Sequence, residues 1–151
     1  MIKASAKANL GIARDVDPSI RNTDVDRVMA QVGLDNLDIS PAHKLSTGER
    51  QKLCLGRAIL LQPNLVLLDE PIANLDPNAT EQGEDLIRQC NRQGANVIFS
   101  SHQLAQVQRL AEHIIFLDKG EIKENGPVDP FLNQPQTPAE KRYLHQELLN
   151  D

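Results

Sequence analysis

The sequence has no run of Lys or Arg, and its 16 basic residues are outnumbered by 21 acidic ones, for a formal charge of −5. A pI near 5.3 and scattered cations leave no electrostatic footprint for gripping nucleic-acid phosphates, so nucleic acid is not an expected partner. No apolar stretch approaches the roughly 20 residues needed to cross a bilayer, and Met1 to Leu10 lacks the long apolar centre of a signal peptide. Any membrane role must come through a partner. Cysteine occurs twice, at Cys54 and Cys90, and the four histidines show no metal-ligand spacing with either. Both thiols are expected to be buried and reduced, as in a cytosolic protein.

With 40% apolar residues, 151 positions suffice for one modest domain. Val25, Val28, Met29 and Val32 recur at helical spacing, after a cap at Asn22 or Thr23 and before Gly33. A second helix is expected from Leu45 to Gln62, opened by the capping-box pattern Ser46, Thr47, Gly48, Glu49 and ended by Pro63. Leu65 to Leu68 is a short unbroken apolar run, as in a strand buried on both faces of a parallel sheet. Asp76 and Pro77 cap and begin a helix to about Cys90, with Leu86, Ile87 and Cys90 inward and Gly94 as its stop.

Another buried strand is expected over Asn96 to Ser100. A helix with Leu104, Val107, Leu110 and Ala111 inward follows, and then a third apolar strand from Ile114 to Leu117. Asp118, Lys119 and Gly120 turn the chain into a hairpin through Glu121 to Lys123. Pro127, Pro130, Pro135 and Pro138 suggest a surface linker, and Thr137, Pro138 and Glu140 start a last helix through Leu148. Alternating strands and helices give an α/β fold.

Two acids, Asp69 and Glu70, stand at the end of the first strand, where open α/β sheets present residues to ligands. Asp69 could hold magnesium through its water shell, and Glu70 could orient and deprotonate a water. A solvated turn often carries the same pair. The segment at Ser46 places a hydroxyl, backbone N–H groups and a positive helix end together, which is how proteins grip phosphate. Alone it is equally an ordinary capping box.

Together these segments resemble the ABC ATPase superfamily. Leu45-Ser46-Thr47-Gly48-Glu49 is similar to its signature, Leu65 to Pro71 to its Walker B segment, Ala73 to Pro77 to its D-loop, and Ser101-His102 to its switch loop, in the family's order. The resemblance implies that Asp69 is the magnesium-associated acid and Glu70 the general base. It also implies that Asp76 communicates across a dimer and His102 contacts the γ-phosphate. Ser46, Gly48 and Glu49 would face ATP held by the opposite subunit. Thr47 stands where the family usually has glycine, and Glu49 where it has glutamine; both are read as tuning.

No Gly-Lys dipeptide occurs in the sequence, so the phosphate-cradling P-loop is not present. The first glutamine is Gln31, inside a helix, which leaves the Q-loop unmatched. With no Trp, and Tyr143 as the single Tyr, the adenine-stacking aromatic is missing too. Ala8 to Gly11 resembles the start of the family's helical subdomain. The fold implied is a partial P-loop NTPase (RecA-like) core with a parallel sheet, plus part of the ABC helical subdomain and without the P-loop strand. Residues 1–50 would be the helical part ending in the signature, 51–126 the C-terminal half of the ATPase core, and 127–151 a linker and helix. The absent strand would lie between the strand leading to His102 and the strand at Ile114.

The resemblance implies ATP and magnesium as ligands, a second ATP-binding subunit and membrane permease subunits as partners, and a place on the cytoplasmic face of the membrane. The expected role is the ATPase subunit of an importer, present as a fragment that is inactive alone. The tail from Pro130 to Leu144 resembles subunits for oxyanions such as tungstate, or for polar amino acids. Two alternatives are a non-catalytic module acting in trans and a soluble ABC ATPase of repair or translation.

Overall fold

The computed structural model describes residues 4–73 and 75–148. They form two compact units that meet in sequence at Ser100 and Ser101. In the first unit, α1 (Ala6–Gly11), α2 (Ala13–Val16) and α3 (Asn22–Gln31) precede α4 (Thr47–Leu61), with single 3-10 turns at Asp35–Leu37 and Ala42–Lys44. Strand β1 (Leu65–Asp69), helix α5 (Pro77–Arg92) and strand β2 (Asn96–Ser100) complete it.

The helical part closes around α4. Leu10, Val25, Val28 and Leu53 are fully buried, with Met29, Val32, Leu55 and Ile59 nearly so, which is the inward stripe expected of α3. Gly56 makes this packing possible, because a Cβ there would lie 3.2 Å from Leu10 Cδ1 and 3.3 Å from Val32 Cγ1. Interiors packed at crystal density have no slack for that extra atom. Helix α3 is capped one residue earlier than expected: the Arg21 N–H donates to Asp24 Oδ2 at 2.9 Å. The carboxylate at the third helical position reaches back to the cap, a role that Asn22 and Thr23 do not need to fill. Cys90 is buried but Cys54 is exposed, and both are free thiols. The expectation for Cys54 fails because α4 buries Leu53, Leu55 and Gly56 and turns position 54 outward.

Strands β1 and β2 pair in parallel, with Leu67 opposite Ile98 and Asp69 opposite Ser100. Contrary to the expectation of two buried faces, the described residues cover only one: Val66 is 6% exposed, whereas Leu67 is 69% and Ile98 56% exposed. Helix α5 packs on the covered side through Leu86, Ile87 and Cys90.

The second unit contains α6 (Leu104–Leu110), β3 (His113–Asp118), β4 (Glu121–Pro127), α7 (Val128–Asn133) and α8 (Pro138–Leu148). Leu104 and Val107 are buried as expected, while Leu110 and Ala111 are half-buried. The β3–β4 hairpin turns through Lys119 at φ 54° and Gly120 at φ 79°, two left-handed residues that match the twist of the strands. It runs to Pro127, beyond the expected Lys123. The expected linker holds α7, with Val128 and Phe131 buried. Its prolines stand at the cap and in the first turn, where the missing N–H costs nothing. Among the described residues β2 bonds only β1, and β3 only β4.

Candidate functional site

The parallel pairing brings the ends of β1 and β2 to one edge. There the Ser100 hydroxyl donates to Asp69 Oδ1 at 2.7 Å and accepts the Glu70 backbone N–H at 2.9 Å. One side chain therefore ties both acids to the neighbouring strand. Glu70 adopts φ 45°, a left-handed conformation that costs a non-glycine residue on the order of 1–3 kcal/mol and concentrates at functional sites. The Ser100 bond on its N–H and the 3.3 Å bond from Ala73 N–H to its carbonyl hold it there. Asp69 is exposed and Glu70 half-exposed, so water reaches both carboxylates.

Just beyond, Ile72 is 2% exposed. It fills a notch at Gly83 of α5, where a Cβ would lie 2.4 Å from Ile72 Cγ2. No side chain larger than hydrogen fits there without displacing the loop that follows Glu70.

The N-terminus of α4 is a complete capping box. The Glu49 N–H donates to Ser46 Oγ at 3.2 Å, and the Ser46 N–H donates to Glu49 Oε2 at 2.6 Å. Both side chains named by the signature resemblance thus hold the helix start in shape. The first N–H groups of a helix have no intrahelical partner, and here they point from an exposed end. Arg50 adds a guanidinium that donates to the Leu45 carbonyl and to Thr47 Oγ1 at 3.1 Å. A dipole end with a cation beside it favours an anion.

Gly48 connects this end to α5, since a Cβ on it would lie 3.4 Å from Leu75 Cδ2 and 3.8 Å from Ala79 Cβ. Asp76 caps α5, its Oδ1 accepting the Ala79 N–H at 3.1 Å. The structure therefore gathers two groups within the first unit: Asp69, Glu70 and Ser100 at the strand edge, and Ser46, Gly48 and Glu49 beside the start of α5. His102 belongs to the second unit; its side chain is exposed and its carbonyl accepts the Tyr143 hydroxyl at 3.0 Å.

Among the described residues no cluster of three or more His, Cys, Asp or Glu could hold a metal by itself. Magnesium does not need one, because it keeps several waters and takes one or two carboxylates together with phosphate oxygens. Exposed Asp69, oriented by Ser100, fits that requirement. A cavity of about 500 Å³ is lined by Ser5, Lys7, Gly11, Arg14, Asp38 and Ile39 among others, none of them a residue of these groups. Open volume alone does not pick out the site.

The ABC transporter family model matches residues 3–73, from α1 past the strand edge. The molybdenum import ATP-binding protein ModC of Rhodopseudomonas palustris is 37% identical over 138 residues, which are 89% of this chain and 36% of that protein. The chain belongs to the ABC transporter ATP-binding family.

Other members of the ABC family are similar to a like degree. The nickel import ATP-binding protein NikO of Rhodobacter capsulatus is 41% identical over 111 residues, 72% of this chain and 44% of that protein. The thiamine import ATP-binding protein ThiQ of Mesorhizobium japonicum is 33% identical over 146 residues, 93% of this chain and 57% of that protein. The chain thus spans well under two thirds of the length of these relatives. A solved ATP-binding subunit of an ABC transporter superposes with a TM-score of 0.77 at 24% identity, covering 99% of this chain and 64% of its own. The α/β fold with its parallel sheet is therefore that of ABC ATPase domains.

Two residues of these groups were not singled out from sequence. Ser100 carries a readable signal, a hydroxyl at the carboxyl end of the strand beside the acidic one. Arg50 is one helical turn past Ser46, but basic residues in helices are too common for its contacts to be foreseen. No helix among the described residues is long and apolar enough to cross a membrane.

Proposed function

We propose that this chain supplies the signature, Walker B, D-loop and switch-histidine surfaces of an ATP-hydrolysing ABC importer subunit. The carrying observation is the Ser100 latch, which fixes Asp69 and a left-handed Glu70 at one exposed strand edge. In this reading Asp69 holds magnesium through water, and the ion would neutralise charge on the nucleotide phosphates. Glu70 accepts the proton of the water that attacks the γ-phosphate. Its constrained backbone keeps the carboxylate aimed at one place, so little reorganisation is needed when the bond forms.

The exposed start of α4 faces the nucleotide of a second ATP-binding subunit. Ser46 and Glu49 shape that surface, and the N–H groups of Thr47 and Gly48 meet phosphate oxygens. Asp76, against the same surface through Leu75 and Ala79, relays the state of one site to the other, and His102 contacts the γ-phosphate. The partners are permease subunits, which place the protein on the cytoplasmic face of a membrane. The cargo class is an oxyanion or a polar amino acid. The tail pattern noted above supports that class; the relatives, named for molybdenum, nickel, thiamine, phosphate and arginine transport, do not single out one cargo.

The test is Glu70→Gln in the ATP-hydrolysing complex that contains this chain. Turnover is expected to fall roughly 10²- to 10⁴-fold, the usual contribution of a positioned base, while nucleotide-dependent association persists. Parental turnover in the Gln variant would remove Glu70 from its role. The chain alone, without Gly-Lys in its sequence, is expected to give no tight binding when titrated with Mg-ATP in a calorimeter.

A further inference from the structure

The backbone on both sides of His102 is held by side chains to which the chemistry above gives no task. After it, the Tyr143 hydroxyl donates to the His102 carbonyl at 3.0 Å. The Tyr143 ring is itself anchored, 5.4 Å from the Phe116 ring and 6.5 Å from the Phe131 ring, in a cluster with Leu104 and Leu144. Before it, the Ser101 hydroxyl donates to Gln106 Oε1 at 2.6 Å and accepts the Gln103 N–H at 3.0 Å.

Gln106 is only 3% exposed, and its Nε2 finds no partner among the described residues. An apolar residue would occupy that position of α6 more favourably, since a buried donor without a partner forfeits its solvation. A phenylalanine would fill the ring cluster as well as Tyr143 does. Both polar groups converge instead on one short segment, the one that carries the exposed imidazole of His102.

We infer that Tyr143 and Gln106 are positioning residues that fix the backbone at His102, so that α8 and α6 set the direction of the imidazole. Exposed loops ordinarily sample many backbone states, and fixing each residue costs conformational entropy. Here that cost is met before the substrate arrives, by a hydrogen bond from the hydroxyl of a ring locked in a core and by one accepted by a buried amide oxygen. The inference rests on the proposed contact of His102 with the γ-phosphate, and it adds a dependence of that contact on the C-terminal helix.

The experiment compares Tyr143→Phe, Gln106→Leu and His102→Ala, singly and combined, in the ATP-hydrolysing complex that contains this chain. Tyr143→Phe keeps the ring and is expected to leave the melting temperature within about a degree. It should lower kcat roughly tenfold at unchanged KM for ATP, the scale expected of a small misplacement. In the His102→Ala background neither positioning substitution should lower kcat further, because the residue they aim is gone. An equal loss in that background would overturn the inference, since the tyrosine would then act elsewhere. If His102→Ala alone keeps parental turnover, the reading of His102 falls and its positioning has no catalytic meaning. Amide hydrogen exchange separates the two failures: at Gln103 it should quicken in Tyr143→Phe and Gln106→Leu whatever His102 does, and unchanged exchange would overturn the clamp itself.

Discussion

Two helices of this chain begin with the same four-residue device. At α4 Ser46 and Glu49 exchange hydrogen bonds, and at α8 Thr137 and Glu140 do so. The surroundings differ. Ser46 is exposed and Glu49 half-exposed, whereas Glu140 is 1% exposed and also accepts from the Gln136 N–H and the Thr137 hydroxyl, each at 2.6 Å. A cap in water leaves its outer N–H groups available to a ligand, and a cap in a core has every acceptor engaged. One sequence pattern thus leaves an open helix start in the first unit and makes a fastening in the second, and burial decides which.

Substitutions at matching positions would break or sharpen this contrast. The largest effect is expected from Ser46→Arg, which puts a long cation across the exposed start of α4. In the ATP-hydrolysing complex turnover should drop to background and nucleotide-dependent association should vanish, while loss of the Ser46 cap lowers the chain's stability by only about 0.5–2 kcal/mol. Retained turnover would show that this helix end is no more a ligand surface than its buried counterpart.

Glu140→Ala should reverse the pattern. Losing a buried cap with several donors costs about 1–3 kcal/mol, or roughly 2–12 °C in melting temperature for a chain of this size, read by circular dichroism. The pH response follows from the same site. Burial raises the Glu140 pKa, but hydrogen bonds from the Thr137 hydroxyl and from the Thr137 and Gln136 N–H groups, with the Lys141 charge, outweigh it, so the net shift is downward. A carboxyl depressed on folding stabilises the fold fully above its unfolded pKa and loses that contribution as pH falls through the folded one. Acid melts of the parent should therefore decline below the ordinary glutamate range, and Glu140→Gln should decline less steeply.

The smallest effect is expected at Glu49→Gln. An amide oxygen can still accept the Ser46 N–H, so stability should change by a few tenths of a kcal/mol at most. Association with the nucleotide-loaded partner should tighten modestly as a negative charge leaves the phosphate-facing surface, measured by light scattering at low salt.

The helices of seven residues or more were legible because each carried about two turns of its period with matching ends. Asp76-Pro77 before Leu86, Ile87 and Cys90 is the clearest case. Helices α1 and α2 were not, since six and four residues hold too few turns to establish a stripe. Helix α7 was hidden by prolines whose role at a helix start looks the same in sequence as a linker. The apolar runs Leu65 to Leu68 and Asn96 to Ser100 correctly announced a parallel pair, but a run of apolar residues does not say whether both faces are covered. At the candidate site the acids stood out by position, whereas the link between them depends on register, which places Ser100 beside Asp69 from 31 residues away.

The notch at Gly83 has a mechanical consequence. Ile72 sits two residues beyond Glu70 and is keyed into α5 at a point where not even a methyl group could be added, so loop and helix form a peg and socket rather than a flexible tether. Helix α5 spans 16 residues, about 24 Å at the usual rise, with Asp76 at its head and the peg less than two turns below. A tilt of this lever would move the socket that holds Ile72, and with it the backbone two residues from Glu70.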